Sequence, residues 1–132
     1  MTHLLDTNVC IAVMRGHTGV QSRMKTHSPS DLGVSTVTLY ELCSGIARCR
    51  SPELEQKKLE VFLEPLHILP FDSDAAIHAA RVRWELQRKG IPIGPYDLQL
   101  AGQALALDAI LVTHNTSEFH RVKDLRLEDW EA

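Results

Sequence analysis

Short apolar runs alternate with longer stretches of helical periodicity along the chain, and this alternation is typical of a parallel α/β sheet. Strands are predicted at residues 3–5, 33–35, 67–71, 109–113 and 125–127. Helices are predicted at residues 9–14, 20–26, 37–48 and 54–63, from 73 to about 90, and from 95 to about 107. The apolar run at 109–113 indicates a central strand, whereas the weak run at 125–127 indicates an edge strand.

Two of the predicted helices carry apolar residues at intervals of three and four, which identify the faces that they bury. In the helix at 37–48 this stripe consists of Leu39, Leu42, Cys43 and Ile46. In the helix from 73 to about 90, which residues 72–74 can cap, the stripe consists of Ala75, Ala79, Val82 and Leu86. Residues 90–95 contain two glycines and two prolines, so they must form a shaped loop before the next helix.

Length, net charge and composition limit the classes of protein to which the chain can belong. A length of 132 residues fits one domain, and we expect residues 1–132 to form a single unit with its own core. The net charge of -3 weighs against a non-specific nucleic-acid binder, although two bound Mg2+ ions would reverse its sign. Aromatic residues make up only 5% of the chain, so a base-stacking platform is not expected. The apolar run directly before the first acid consists of Leu4 and Leu5 alone, which indicates no signal peptide or membrane span and favours the cytoplasm.

Several polar side chains fall where parallel sheets bind ligands. Asp6 follows the first strand and Asn115 follows the run at 109–113, so the two share one crevice if both strands are central. Asp97 lies in the first turn of a helix, where it can interact with the helix dipole or hold a cation beside a phosphate. The local pattern explains Asp6 as a helix cap as well as it explains Asp6 as a site residue. It also allows Glu41 to be part of a solvated helix face. The pattern alone leaves these alternatives open.

Four segments resemble, in order and in spacing, the motifs of the PIN domain, and in particular those of VapC toxins. Residues 4–8 resemble the opening strand with the first acid, and residues 35–42 resemble the helix that carries the second acid. Residues 93–102 resemble the third-acid motif, and residues 111–119 the last motif. The resemblance covers nearly the whole chain. It implies a PIN-like three-layer α/β/α sandwich around a mostly parallel sheet of about five short strands.

The resemblance also implies a set of site residues. The implied catalytic residues are Asp6, Glu41, Asp97 and Asn115. The three acids among them are also the implied ligands of Mg2+, for which Mn2+ can substitute. Many PIN domains carry Asp at the last of these positions. The amide of Asn115 can ligate a cation or position water, but it adds no charge. Thr7 and Thr113 match positions that support the acids.

The function implied by the resemblance is that of an Mg2+-dependent endoribonuclease, the toxin of a VapBC-type toxin–antitoxin pair, which cleaves tRNA or rRNA and inhibits translation. Clustered acids suit this chemistry because a metal ion neutralises the phosphate and activates the attacking water, leaving 5′-phosphate and 3′-hydroxyl ends. A VapB-like antitoxin and a homodimer follow from the same resemblance. The alternatives are a DNA nuclease or non-toxin RNA-processing enzyme, and a non-catalytic RNA-binding or scaffolding module without a metal.

Overall fold

The computed structural model describes residues 1–132 and contains one sheet of five short strands, all of them parallel. The strands are β1 His3–Leu5, β2 Leu32–Ser35, β3 His67–Leu69, β4 Ile110–Val112 and β5 Leu127–Glu128. Their order across the sheet is β3-β2-β1-β4-β5, so β1 and β4 are neighbours although they lie near opposite ends of the chain. The order reverses between β1 and β4, and such a reversal creates the crevice in which open parallel sheets bind ligands.

Seven α-helices cover the two faces of the sheet. They are α1 Thr7–Met14, α2 Thr18–Lys25, α3 Thr36–Ala47, α4 Pro52–Leu63, α5 Ser73–Arg88, α6 Pro95–Leu107 and α7 Thr116–Phe119. One apolar core lies between the sheet and α1–α4, and a second lies between the sheet and α5–α7. The predicted three-layer α/β/α sandwich is therefore confirmed. None of the helices is both long and apolar enough to span a membrane.

Alternation along the two central strands divides the core into its two layers. Leu4 and Leu111 point into the core under α5–α7, whereas Leu5 and Val112 point into the core under α1–α4. All four side chains are fully buried. Successive side chains of a strand point to opposite faces, so a strand that is covered on both faces must be apolar throughout. Burial of each such side chain stabilises the fold by roughly 1.5–3 kcal/mol.

Some element ends differ from the predicted ones for local reasons. Helix α1 begins two residues earlier than predicted because Asp6 caps it, accepting a hydrogen bond from Val9 N at 2.8 Å. Strand β3 ends before Pro70, which has no N–H to donate to a neighbouring strand. The edge strand is Leu127–Glu128 and lies slightly later in the chain than the predicted run at 125–127.

The stripe predicted for α3 is wrong in one member, whereas the four residues predicted for α5 are all buried. Leu42 is buried, and Leu39 and Ile46 are partly buried against the core under α1–α4. Cys43 is exposed. The buried face of α3 turns instead toward Thr38, which has no exposed surface. Apolar periodicity cannot identify a buried position that is occupied by a polar residue.

The C-terminal residues 128–131 are anchored to the rest of the domain by the buried ring of Trp130 and by contacts with histidines. Trp130 is fully buried, and its Nε1 donates a hydrogen bond to the Glu128 carboxylate. Three histidines contact carboxylates of residues 128–131: His3 lies 3.1 Å from Glu128, His17 lies 3.5 Å from Glu131, and His114 lies 3.1 Å from Asp129. These contacts bring the C-terminal segment onto the central part of the sheet.

Helices α5 and α6 pack closely through Gly102. A Cβ atom on Gly102 would lie 2.4 Å from the backbone N and 2.5 Å from the Cα of Ala79. Backbone atoms cannot yield as the end of a flexible side chain can, so the two helices would have to separate. Because Asp97 lies on α6, this contact also fixes the position of one of the predicted site residues.

We expect Gly102→Ala to lower the free energy of unfolding by about 2–3 kcal/mol, because the added methyl group pushes α6 away from α5. Gly45→Ala in α3 is the matched control, since nothing lies within 4 Å of its added Cβ. The control should raise stability by up to about 1 kcal/mol through helix propensity. Urea unfolding followed by circular dichroism measures both changes. Equal effects of the two substitutions would contradict the packing argument.

Candidate active site

The carboxyl ends of β1 and β4 meet at the crevice, and predicted site residues follow both strands. Asp6 comes directly after β1, and its backbone N donates a hydrogen bond to the carbonyl of Val112 in β4 at 3.0 Å. Thr113 comes directly after β4 and is completely buried. The pairing of the two strands therefore brings Asp6 and Thr113 together.

Asp6 is a buried carboxyl, with only 5% of its surface exposed. One of its oxygens caps α1, as the local pattern allowed. Burial raises the pKa of Asp6, and the charges of Glu131 and Glu41 raise it further. Hydrogen bonds from Thr113 and from the backbone of Val9 lower it in part. The cap thus does not compensate fully for the loss of solvent around the charged form.

Glu41 reaches the site from α3 and is directed by a threonine of α1. The hydroxyl of Thr7 lies 2.8 Å from Glu41 Oε1 and 3.2 Å from the hydroxyl of the buried Thr38. Glu41 is half-buried, so it does not belong to a solvated helix face. A hydroxyl that donates to a carboxylate fixes its direction without neutralising it. Thr7 therefore lies where a residue that supports the acids is expected.

Asp97 lies half-buried in the first turn of α6. Burial, together with three neighbouring carboxylates, raises the pKa of Asp97 to about 6. These neighbours, in decreasing order of their effect, are Glu118, Asp6 and Glu41. Four carboxylates from separate parts of the chain therefore share one site.

Glu118 is the site residue that the sequence analysis missed. Its Oε1 accepts a hydrogen bond from Gly94 N at 3.1 Å, and its Oε2 accepts one from Asn115 Nδ2 at 2.7 Å. The hydrogen bond from Asn115 holds the pKa of Glu118 below its usual value. Asn115 also donates its backbone N–H to the hydroxyl of Thr113 at 3.0 Å. The available signal was the i, i+3 spacing of Asn115 and Glu118 just after a central strand.

The donor set of the crevice fits a hard divalent cation. It consists of carboxylate oxygens, which Mg2+ prefers, from Asp6, Glu41, Asp97 and Glu118. No three of these carboxylates have their oxygens within 4.8 Å of one another, a spacing found only in a group of side chains elsewhere in the fold. The carboxylates therefore form no closed ligand shell. An open arrangement suits Mg2+, which usually keeps several of its waters. A cation would also relieve the repulsion that raises the pKa of Asp97.

Two surface features adjoin the carboxylates. Tyr40 and Tyr96 each lie next in sequence to an acid, are 59% and 40% exposed, and have ring centroids 5.8 Å apart. An exposed aromatic pair is therefore present, although the composition gave no reason to expect one. A groove of about 530 Å³ between α1, α3 and α4 is lined by Glu41. Its lining also includes apolar and cationic side chains, namely Ile11, Met14, Leu42, Ile46, Arg15 and Lys58.

Comparison with known proteins agrees with this geometry. Residues 3–125 match the PIN domain family. The chain belongs to this family. Among its relatives is the tRNA(fMet)-specific endonuclease VapC of Salmonella typhimurium, which is 38% identical over 128 residues that cover 96% of each chain. Ribonuclease VapC2 of Rickettsia felis is 34% identical over 136 residues that cover 99% of each chain.

Solved structures of PIN proteins have the same fold. The DNA-bound VapBC structure from Salmonella typhimurium matches with a TM-score of 0.93 at 37% identity, covering 98% of each chain. The VapBC2 structure from Rickettsia felis, bound to a promoter DNA fragment, matches with a TM-score of 0.92 at 33% identity, covering 98% of this chain and 99% of that one. The PIN-like fold and the resemblance to VapC proteins are therefore both confirmed.

We expect Asp97→Asn to stabilise the PIN domain in the absence of divalent cations. A raised pKa means that the folded state binds the proton of Asp97 more tightly than the unfolded state does. The cost of ionising Asp97 is therefore fully present above pH 6 and fades as the pH falls from 6 toward 4. After a discount for the half-exposed carboxyl, the variant should gain about 1 kcal/mol at pH 7.5 and less at pH 4.5.

Urea unfolding in EDTA at both pH values measures this gain. Glu60→Gln, at an exposed position of α4, serves as the control and should change stability little at either pH. A loss of stability in Asp97→Asn at pH 7.5 would mean that the carboxylate is held by favourable contacts instead of repelled by its neighbours.

Proposed function

We propose that this chain is an Mg2+-dependent endoribonuclease and the toxin of a VapBC-type toxin–antitoxin pair. The observation that carries the proposal is the group of four carboxylates in the crevice, whose crowding helps raise the pKa of Asp97 to about 6. Strongly perturbed acids in a cleft are typical of functional sites. The names of the relatives, endonuclease VapC and ribonuclease VapC2, support the same class of reaction.

In this proposal Asp6, Glu41 and Asp97 hold the ion, which is Mg2+ or Mn2+, and Glu118 supplies a fourth carboxylate. When bound, Mg2+ neutralises the scissile phosphate, lowers the pKa of a water molecule and stabilises the leaving oxygen. Asp97 must lose its proton to bind a cation. Cation binding and RNA cleavage therefore weaken as the pH falls through about 6.

Hydrogen-bond donors direct the carboxylates into the crevice. Thr7 donates to Glu41, and the side chain of Asn115 donates to Glu118. Each donor fixes the orientation of its carboxylate, as outer contacts of metal sites do. We therefore assign Asn115 the role of positioning Glu118. The fourth charge that Asn115 itself cannot provide then comes from Glu118.

RNA, in the form of a tRNA or rRNA loop, is the substrate that the surroundings favour. Proteins recognise RNA mainly at unpaired loops, whose splayed bases stack on aromatic rings. Tyr40 and Tyr96 offer such rings directly beside the acids. A bound divalent cation would reduce the net negative charge of -3, and Arg15 and Lys58 place positive charge in the adjoining groove. Cleavage of such an RNA inhibits translation.

The groove beside Glu41 suits a VapB-like antitoxin as partner. The neighbouring solved structures are VapBC complexes. An antitoxin segment with apolar side chains fits the groove, and a basic side chain at its end would face the acids. A homodimer is supported by the exposed face of α5, where Ile77 and Trp84 lie two turns apart and are 50% and 65% exposed. In this proposal residues 1–132 act as one PIN domain in the cytoplasm.

Cleavage of total bacterial RNA by the purified protein, free of any antitoxin, tests the proposal. We expect discrete cleavage with Mg2+, none with EDTA, and fragments that end in 5′-phosphate and 3′-hydroxyl groups. Asp6→Asn and Asp97→Asn should each reduce the rate by at least about 100-fold, a loss typical of removing one electrostatic contact to the reacting group. Glu118→Gln keeps the side-chain shape and should reduce the rate roughly 10–100-fold.

Glu60→Gln is again the control and should cleave like the unmodified protein. Cleavage that persists in EDTA, or fragments with 2′,3′-cyclic phosphate ends, would exclude the mechanism proposed here. Cleavage of DNA in place of RNA would point to a DNA nuclease. The absence of cleavage, together with the absence of Mg2+-dependent stabilisation, would favour a non-catalytic module.

A further inference from the structure

A second cluster of ligand-type side chains lies apart from the carboxylates of the crevice. It consists of His3, His27 and Glu128, whose ligand atoms all lie within 4.8 Å of one another. His3 lies in β1, His27 follows α2, and Glu128 lies in β5. A strand rises about 3.3 Å per residue, so His3 and Asp6 are separated by roughly 10 Å along β1. The cluster is therefore distinct from the candidate active site.

Hydrogen bonds from outside the cluster orient two of its donor atoms toward each other. The hydroxyl of Thr2 lies 2.7 Å from His3 Nδ1, which leaves Nε2 of the same ring facing Glu128 Oε2 at 3.1 Å. Trp130 Nε1 donates to the other oxygen, Glu128 Oε1, at 3.0 Å. Metal-binding histidines and carboxylates are commonly fixed by such bonds on their remaining polar atoms.

The third member of the cluster is held by aromatic contacts. The ring of His27 stacks on Trp130 with centroids 5.3 Å apart and an angle of 12° between the planes. The same ring lies 4.5 Å from the ring of His3, which is buried. His27 itself is half-buried and lies outside any helix or strand, so its ring can adjust. One positively charged side chain adjoins the cluster: Arg23 lies 3.9 Å from Glu128 Oε1 and is 47% exposed.

We propose that His3, His27 and Glu128 bind a transition-metal cation of the Zn2+ type. Ligands at the usual distances from a tetrahedral Zn2+ lie about 3.3 Å from one another, close to the 3.1 Å between His3 and Glu128. A small movement of the His27 ring completes the set, with water in the fourth position. Two imidazoles and one carboxylate favour Zn2+, Co2+ or Ni2+ over Mg2+. Arg23 approaches the carboxylate oxygen that Trp130 already engages and can turn toward solvent.

The bound cation joins three elements that are far apart in sequence. It ties the segment after α2 and the C-terminal segment to the first strand of the sheet. A ligand that binds only the folded state raises the melting temperature by mass action. Zn2+ should therefore stabilise the domain independently of any nuclease activity.

Trp130 makes the site directly observable, because its indole stacks on one of the ligands. The chain has two tryptophans, so Trp84→Phe leaves Trp130 as the sole indole fluorophore. Cys43→Ser and Cys49→Ser in the same background remove the two exposed thiols that would also bind Zn2+. Co2+ is titrated into this protein with Mg2+ present throughout, and Zn2+ is then added to displace it. Melting temperatures are measured with and without Zn2+.

We expect Co2+ to quench most of the Trp130 fluorescence and Zn2+ to restore it, with a rise in melting temperature. His27→Ala should weaken the binding of both Co2+ and Zn2+ by at least about tenfold, since it removes a ligand. His67→Ala, at an exposed position of the opposite edge strand β3, is the matched control and should leave binding unchanged. Glu128→Gln changes a second proposed ligand and should also weaken the binding of both metals. Unchanged fluorescence and melting temperature in the presence of metal, or quenching that persists in His27→Ala, would overturn the proposal.

Discussion

The parallel pairing of β1 with β4 is the constraint on which the site depends. It joins residues from opposite ends of the chain and places Asp6 beside Thr113. Both strands are buried on both faces, so their register is fixed by the two apolar cores and cannot slip without exposing a core residue. Helices α3, α6 and α7 then bring Glu41, Asp97 and Glu118 to the same edge of the sheet.

The cost of this arrangement is electrostatic. The crevice combines partial burial with several negative charges, and both effects raise the pKa of Asp97. Hydrogen bonds from Thr7, from Asn115 and from Gly94 N orient the carboxylates but do not neutralise them. The domain is thus expected to be less stable without a cation than its apolar cores allow. A site that favours a cation in this way is pre-organised for phosphodiester chemistry.

The positions of the strands and of most of the helices could be predicted from the sequence, because they depend on local periodicity and on helix-breaking residues such as Pro95 and Gly90. Asp6 and Asp97 were candidates for the same reason, since each stands at a recognisable strand end or helix start, and the resemblance to PIN domains then implied their role. Glu41 needed the resemblance to PIN domains, because a carboxylate on a helix carries no local sign of what it faces. Glu118 was missed because its role comes from a hydrogen bond to Asn115 and from its proximity to Asp97. The cluster around His3 was missed because its members come from three distant segments.

Because burial and the neighbouring carboxylates raise the pKa of Asp97, we expect this carboxyl to release its proton when Mg2+ binds in the crevice. Calorimetric titration of Mg2+ into the protein, repeated in two buffers of different ionisation enthalpy, counts the protons released. With a pKa of about 6, roughly three-quarters of a proton should be released per ion at pH 5.5 and almost none at pH 8. Asp97→Asn should abolish the difference between the two pH values. Mg2+ binding without proton release at pH 5.5, or the same release in the variant, would contradict the account.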